Sequence, residues 1–156
     1  MLLGGAHAAS FLERAAPLGF NAKVFSSTLG QAAAVKMCRS VIIKGLESLL
    51  IESFSAARKL GVEQQVLASL QETYPQFDWE KQGDYLFSRV IEHGKRRAEE
   101  MRASAAMIDA TGIGGVMAAA IAVRQQGVAQ RRAAGAFEDP TAMKPWRERA
   151  DELGAQ

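Results

Sequence analysis

Apolar positions recur along this chain with two different periods, and the change between them divides it. Residues 1–3 are a short apolar run stopped by Gly4-Gly5, and residues 6–16 place Phe11, Leu12 and Ala15 on one side of a helix. Pro17 and Gly19 break that helix, and residues 21–25 read as a second strand. Strand, helix, strand is a βαβ unit at its shortest usable length. Two short parallel strands cannot cover their own edges or faces. Residues 1–27 are therefore expected to be the tail end of an α/β domain whose remainder lies outside this chain.

From residue 28 to 156 the pattern is helical. Residues 30–61 form a stretch of roughly thirty positions that is apolar almost all the way round. Such a helix is expected to be buried in the middle of its domain, capped by Ser27 or Thr28 and ended by Gly61 after Arg58 and Lys59. A second helix is expected over 63–72, stopping before Tyr74-Pro75. A third begins at the N-cap Asp78 and runs to about 110, with Gly94 as a point of bending. Gly112, Gly114 and Gly115 form an interhelical loop, residues 116–132 a further helix, and residues 146–153 a charged terminal one. The expected fold is all-α: a helical bundle around the long helix, with the short βαβ piece at its N-terminal end.

Composition adds bounds to this picture. A chain of 156 residues with 48% apolar and 23% charged positions suits one ordinary domain. A net charge of +2 argues for neither nucleic acid nor a membrane surface, and charges interrupt every long apolar run. The segment around Ala6-His7-Ala8 lacks a basic n-region and a long apolar stretch, so no signal peptide is read there. Cys38, the single cysteine, excludes an internal disulfide and fits a reducing, cytoplasmic setting. No zinc, EF-hand, Walker or serine-triad spacing occurs, and no metal site is expected.

Candidate chemistry centres on the long helix. Lys36, Ser40 and Lys44 fall at i, i+4 and i+8 and draw one polar stripe along it. A lysine in an apolar setting serves as a general acid or base, or it snorkels to solvent from the start of the helix. Ser40 either meets a substrate or bonds back to the helix carbonyl four residues earlier. Lys44 meets an anionic group or pairs along the helix surface with Glu47 or Ser48. Arg39 lies one position off the stripe. The basic run at residues 95–97 reads as a solvated face with Glu92–Arg96 and Arg96–Glu100 pairs rather than an anion site. Its neighbours Glu92, Glu99 and Glu100 cancel it as a nucleic-acid patch. His7 and His93 lack partners that would define a site, and Cys38 is expected to be a buried small hydrophobe. The Gly112–Gly115 loop lacks the preceding strand of a phosphate fingerprint.

Leu3-Gly4-Gly5, the helix and strand after it, Gly30-Gln31 and Lys36 on a long helix resemble the domain junction of β-hydroxyacid dehydrogenases, which belong with 6-phosphogluconate dehydrogenase. Residues 36–49 match a KMxRSxxxKGxExL pattern of the phosphogluconate dehydrogenase-like branch, and residues 96–101 resemble its RRAxEM segment. The resemblance covers residues 2–115. It implies a C-terminal all-α domain that closes the active site and builds a homodimer. It further implies Lys36 as the general acid/base acting on a small hydroxy-acid substrate, with Ser40, Arg39 and Lys44 on the substrate side. Ser40 stands where the family commonly has asparagine, which puts the usual substrate preference in doubt. NAD or NADP is implied as cofactor, held mainly by a Rossmann domain not found here, since no GxGxxG follows a strand. That domain is expected on a separate chain or on a missing N-terminal half, and the chain alone is expected not to turn over substrate. A non-catalytic helical dimerisation or small-anion-binding module is the alternative.

Overall fold

The first backbone bond of the long helix runs from Ala34 N–H to the Gly30 carbonyl (2.9 Å), so Gly30 holds the N-cap position expected of Ser27 or Thr28. This geometry comes from a computed structural model describing residues 1–155. Its elements are β1 (Leu2–Gly4), α1 (Ala8–Ala15), a 3-10 turn (Ala16–Leu18), β2 (Lys23–Ser26), α2 (Gln31–Leu60), α3 (Glu63–Thr73), α4 (Trp79–Asp109), α5 (Val116–Ala133) and α6 (Trp146–Gly154). They fall into two compact units, Met1–Ser40 and Val41–Gln156, and α2 contributes to both.

In the first unit β1 and β2 pair in parallel, Leu2 opposite Lys23 and Leu3 opposite Val24, with an irregularity before Gly4. Gly4 has no side chain because a Cβ there would lie 3.2 Å from the Cβ of Ala32 at the start of α2. Among the described residues of this unit only Ala8 and Ala15 are buried. Phe11 and Phe20 meet edge to face, 5.9 Å apart, yet both remain exposed, as do Val24, Phe25 and Leu29. The unit has almost no core of its own.

The second unit is the helical fold expected. Leu50, Ile51 and Phe54 of α2, Leu67 of α3, and Leu86, Phe87, Val90 and Ile91 of α4 form its main core, with Val128 of α5 and Trp146 of α6. Trp146 fits because Gly83 leaves space that a Cβ would occupy at 2.6 Å from the indole. Gly94 serves the same end: α4 runs through it unbroken, and a Cβ there would sit 2.7 Å from the Gln125 carbonyl on α5. Asp78 caps α4 by accepting the Lys81 N–H at 3.0 Å. Gly61, at φ +69°, ends α2 through the Val62 N–H to Ala57 carbonyl bond.

Burial of α2 within this unit is one-sided. Lys44, Glu47, Ser48, Leu50, Ile51, Phe54 and Ala57 face inward, whereas Ile42 and Leu49 are 73% and 60% exposed. The segment between α5 and α6 folds around one side chain. The buried guanidinium of Arg149 donates to the carbonyls of Glu138 (2.9 Å), Asp139 (2.8 Å) and Ala142 (2.7 Å) and to the Glu152 carboxylate (2.8 Å). Among the described residues, no helix is long and apolar enough to cross a membrane.

Candidate active-site helix and buried charge network

The first ten residues of α2 carry Lys36, Arg39 and Ser40. Positions three and four apart on a helix share a face, with Cβ atoms roughly 5–6 Å apart, so the ammonium, guanidinium and hydroxyl project to one side. Lys36 and Arg39 are exposed and Ser40 is half-buried. Neither cation has a hydrogen bond or ion pair among the described residues. Cys38, expected to be buried, is exposed. The first unit has so little interior that no position on this part of α2 is enclosed. Among the described residues, no group of three or more histidine, cysteine or acidic side chains could hold a metal.

Lys44 belongs to the second unit and has a different fate. It is 7% exposed, and its ammonium lies 2.7 Å from the Glu100 carboxylate on α4. Glu100 also accepts from Arg96 at 2.7 Å, the one helix-surface pair of that run to form as expected. Glu92 lies instead 3.5 Å from His93.

One turn along α2, Glu47 is only 2% exposed. It binds the Arg97 guanidinium and accepts a 3.1 Å bond from the Gln125 side-chain amide on α5. Arg97 is itself buried, which corrects the reading of residues 95–97 as a wholly solvated face. A buried ion pair is tolerated where the partners' remaining lone pairs and protons are also bonded, and Gln125 supplies part of that bonding. The spacing held a signal for Arg97: with Phe87, Val90, Ile91, Gly94, Ala98 and Met101 it completes the inward stripe of α4.

Other charges of the second unit are spent on holding helices together. Arg58, at the end of α2, bonds the Glu63 carboxylate (2.7 Å) and both Asp151 oxygens (3.0 Å each). These bonds hold both carboxyls below their ordinary range. Glu80 accepts two bonds of 2.7 Å from Arg147, and its carboxyl is lowered by them first, against burial, with a further bond from the Trp146 indole at 2.8 Å. Burial, followed by the charge of Arg89, lowers the His93 imidazole.

Residues 57–128 match a family model described as a domain of unknown function, DUF1932, which is the C-terminal domain of 3-hydroxyacid dehydrogenase-like proteins. An uncharacterized 28.5 kDa protein from Methanothermus fervidus is 38% identical over 86 residues, covering 53% of this chain and 33% of that protein. The crystal structure of a conserved hypothetical protein from Sinorhizobium meliloti 1021 superposes on 97% of this chain and 50% of its own, at 38% identity and a TM-score of 0.83. MTH1747, a conserved protein of unknown function whose structure is described as revealing similarity with 3-hydroxyacid dehydrogenases, covers 86% of this chain at 30% identity and a TM-score of 0.67. This chain spans 51% of that one. The chain thus spans about a third to a half of the length of the proteins it matches. The resemblance to the C-terminal domain of this dehydrogenase superfamily, read from residues 36–49, is shown.

Proposed function

We propose that this chain, similar to the C-terminal domain of 3-hydroxyacid dehydrogenases, supplies the substrate side and the acid/base group of an NAD(P)-dependent dehydrogenase acting on a small hydroxy acid. The observation that carries this reading is the likeness of 86% of the chain, at 30% identity, to a protein with the 3-hydroxyacid dehydrogenase fold. Lys36 stands in the matching motif and its ammonium is uncommitted. In the oxidising direction its amine takes the hydroxyl proton as the substrate C–O bond becomes a carbonyl, and in the reducing direction its ammonium returns that proton. Ser40, one turn on, offers a hydroxyl that donates to or accepts from the same oxygen.

The described residues do not fit a dinucleotide. The turn from β1 into α1 presents Gly4-Gly5 and then Ala6-His7, short of the three spaced glycines that let a pyrophosphate approach a helix N-terminus. The nicotinamide nucleotide is therefore held by residues outside these, and the proton step at Lys36 is what this chain contributes. The scant core of the first unit supports this division, because its exposed Val24, Phe25 and Leu29 need covering by something else.

Lys36→Met tests the assignment in the enzyme assembled with its nucleotide-binding half. Turnover of hydroxy acids should fall by about 10²–10⁴-fold with helix content unchanged. An unchanged kcat would sink the assignment. The second reading, a non-catalytic helical dimer, is favoured by the apolar side chains that α2 and α5 leave exposed: Ile42, Leu49, Val116, Met117 and Val123. It requires that no hydroxy acid be turned over with either nucleotide.

A further inference from the structure

The side chains of residues 1–40 include four permanent cations, Arg14, Lys23, Lys36 and Arg39, and one acid, Glu13. The remainder of the chain holds 15 basic and 16 acidic side chains. Every ion pair among the described residues lies in that remainder, beginning with Lys44 and Glu100. The cations of the first unit are unspent. Two of them, Lys36 and Arg39, stand within one helical turn, and no acid occurs in α2 before Glu47.

These two charges are not equivalent. In the dehydrogenase reading, on which this inference rests for its chemistry, Lys36 gains and loses its proton during turnover, so it is a poor permanent anchor for an anion. Arg39 stays charged at any working pH and presents a planar fork that matches a carboxylate or phosphate with two parallel bonds. We infer that the substrate carries a second acidic group beyond its hydroxy-acid carboxylate, and that Arg39 is the residue that selects it. The substrate class is a dianionic hydroxy acid, either a hydroxy dicarboxylate or a phosphorylated hydroxy acid; both offer the same anion to the same fork.

The test compares 3-hydroxybutyrate with 3-hydroxyglutarate and with 4-phosphorylated 3-hydroxybutyrate, in the enzyme assembled with its nucleotide-binding half. A charge-assisted bond at Arg39 should give a preference in kcat/KM of about tenfold to a hundredfold for a dianion. The preferred dianion tells carboxylate from phosphate. In Arg39→Gln the preference should collapse toward unity, mainly through KM for the dianion, and Arg39→Lys should restore part of it. No preference in the unaltered enzyme, or equal loss of all three substrates in Arg39→Gln, overturns the inference. Equal loss would mean that Arg39 pairs with an acid of the protein. If no hydroxy acid is turned over, the dehydrogenase reading fails separately, and calorimetry on the chain with glutarate against butyrate still reads the charge argument. Glutarate should then bind at least tenfold tighter, in a manner lost in Arg39→Gln, and equal binding overturns it.

Discussion

Replacing Arg97 with methionine isolates the worth of the buried charge network. The change removes the guanidinium from a site where it is 7% exposed and leaves Glu47, 2% exposed, with a single neutral donor, the Gln125 amide at 3.1 Å. Breaking a buried pair by removing one partner costs about 3–5 kcal/mol, because the other charge stays buried and uncompensated. Total stabilities run about 5–15 kcal/mol, so the second unit would lose a large share of its margin. For a chain of this size that loss corresponds to a melting point lower by roughly 6–20 °C. Trp79 and Trp146 both belong to the core of this unit, so urea unfolding followed by tryptophan fluorescence reads the relevant transition. The double variant Glu47→Leu/Arg97→Met removes both charges and orphans only the Gln125 amide, at about 1–3 kcal/mol. It should therefore be more stable than Arg97→Met alone. A single variant that loses under about 1 kcal/mol, or a double variant that loses the sum of the two singles, would refute the reasoning.

Two further outcomes are expected. Arg147 holds the Glu80 carboxyl below its ordinary value of 4.5, so the contact stabilises the fold above that value and fades as pH falls through the lower folded-state value. The stability gap between the unaltered chain and Glu80→Gln should thus be widest near neutrality and narrow below about pH 4.5; a gap constant down to about pH 3 would contradict the assignment. If the exposed faces of α2 and α5 pair two copies, the chain should sediment as a dimer, and Leu49→Asp should shift it to monomer without loss of helix content. A monomer at all concentrations would remove the dimer from the proposal.

Much of the fold was legible because its punctuation is local. Gly61 stops α2, Asp78 starts α4 and Pro17 with Gly19 separates α1 from β2, each acting through backbone geometry within a few residues. What escaped depends on distant partners. The apolar circumference of α2 does not say which side a bundle covers, so Ile42 and Leu49 came out exposed. Arg97 sits in a run of alternating charges that reads as solvated until Glu47, fifty residues earlier, is placed opposite it. The start of α6 has no capping side chain of its own; Asp84 of α4 accepts the Trp146 N–H at 2.7 Å, a cap no local pattern announces. At the candidate site the motif around Lys36 supplied the chemistry, and the structure supplied the sorting. Lys36 and Arg39 stand uncommitted, whereas Lys44 is engaged with Glu100.

The guanidinium of Arg149 gives the link between α5 and α6 an unusual logic in time. The three carbonyls it gathers, at 138, 139 and 142, leave the ribosome before the side chain that organises them. Until residue 149 arrives, this part of the chain holds the shape of a lock without its key, and the loop and the last helix must settle in a single step.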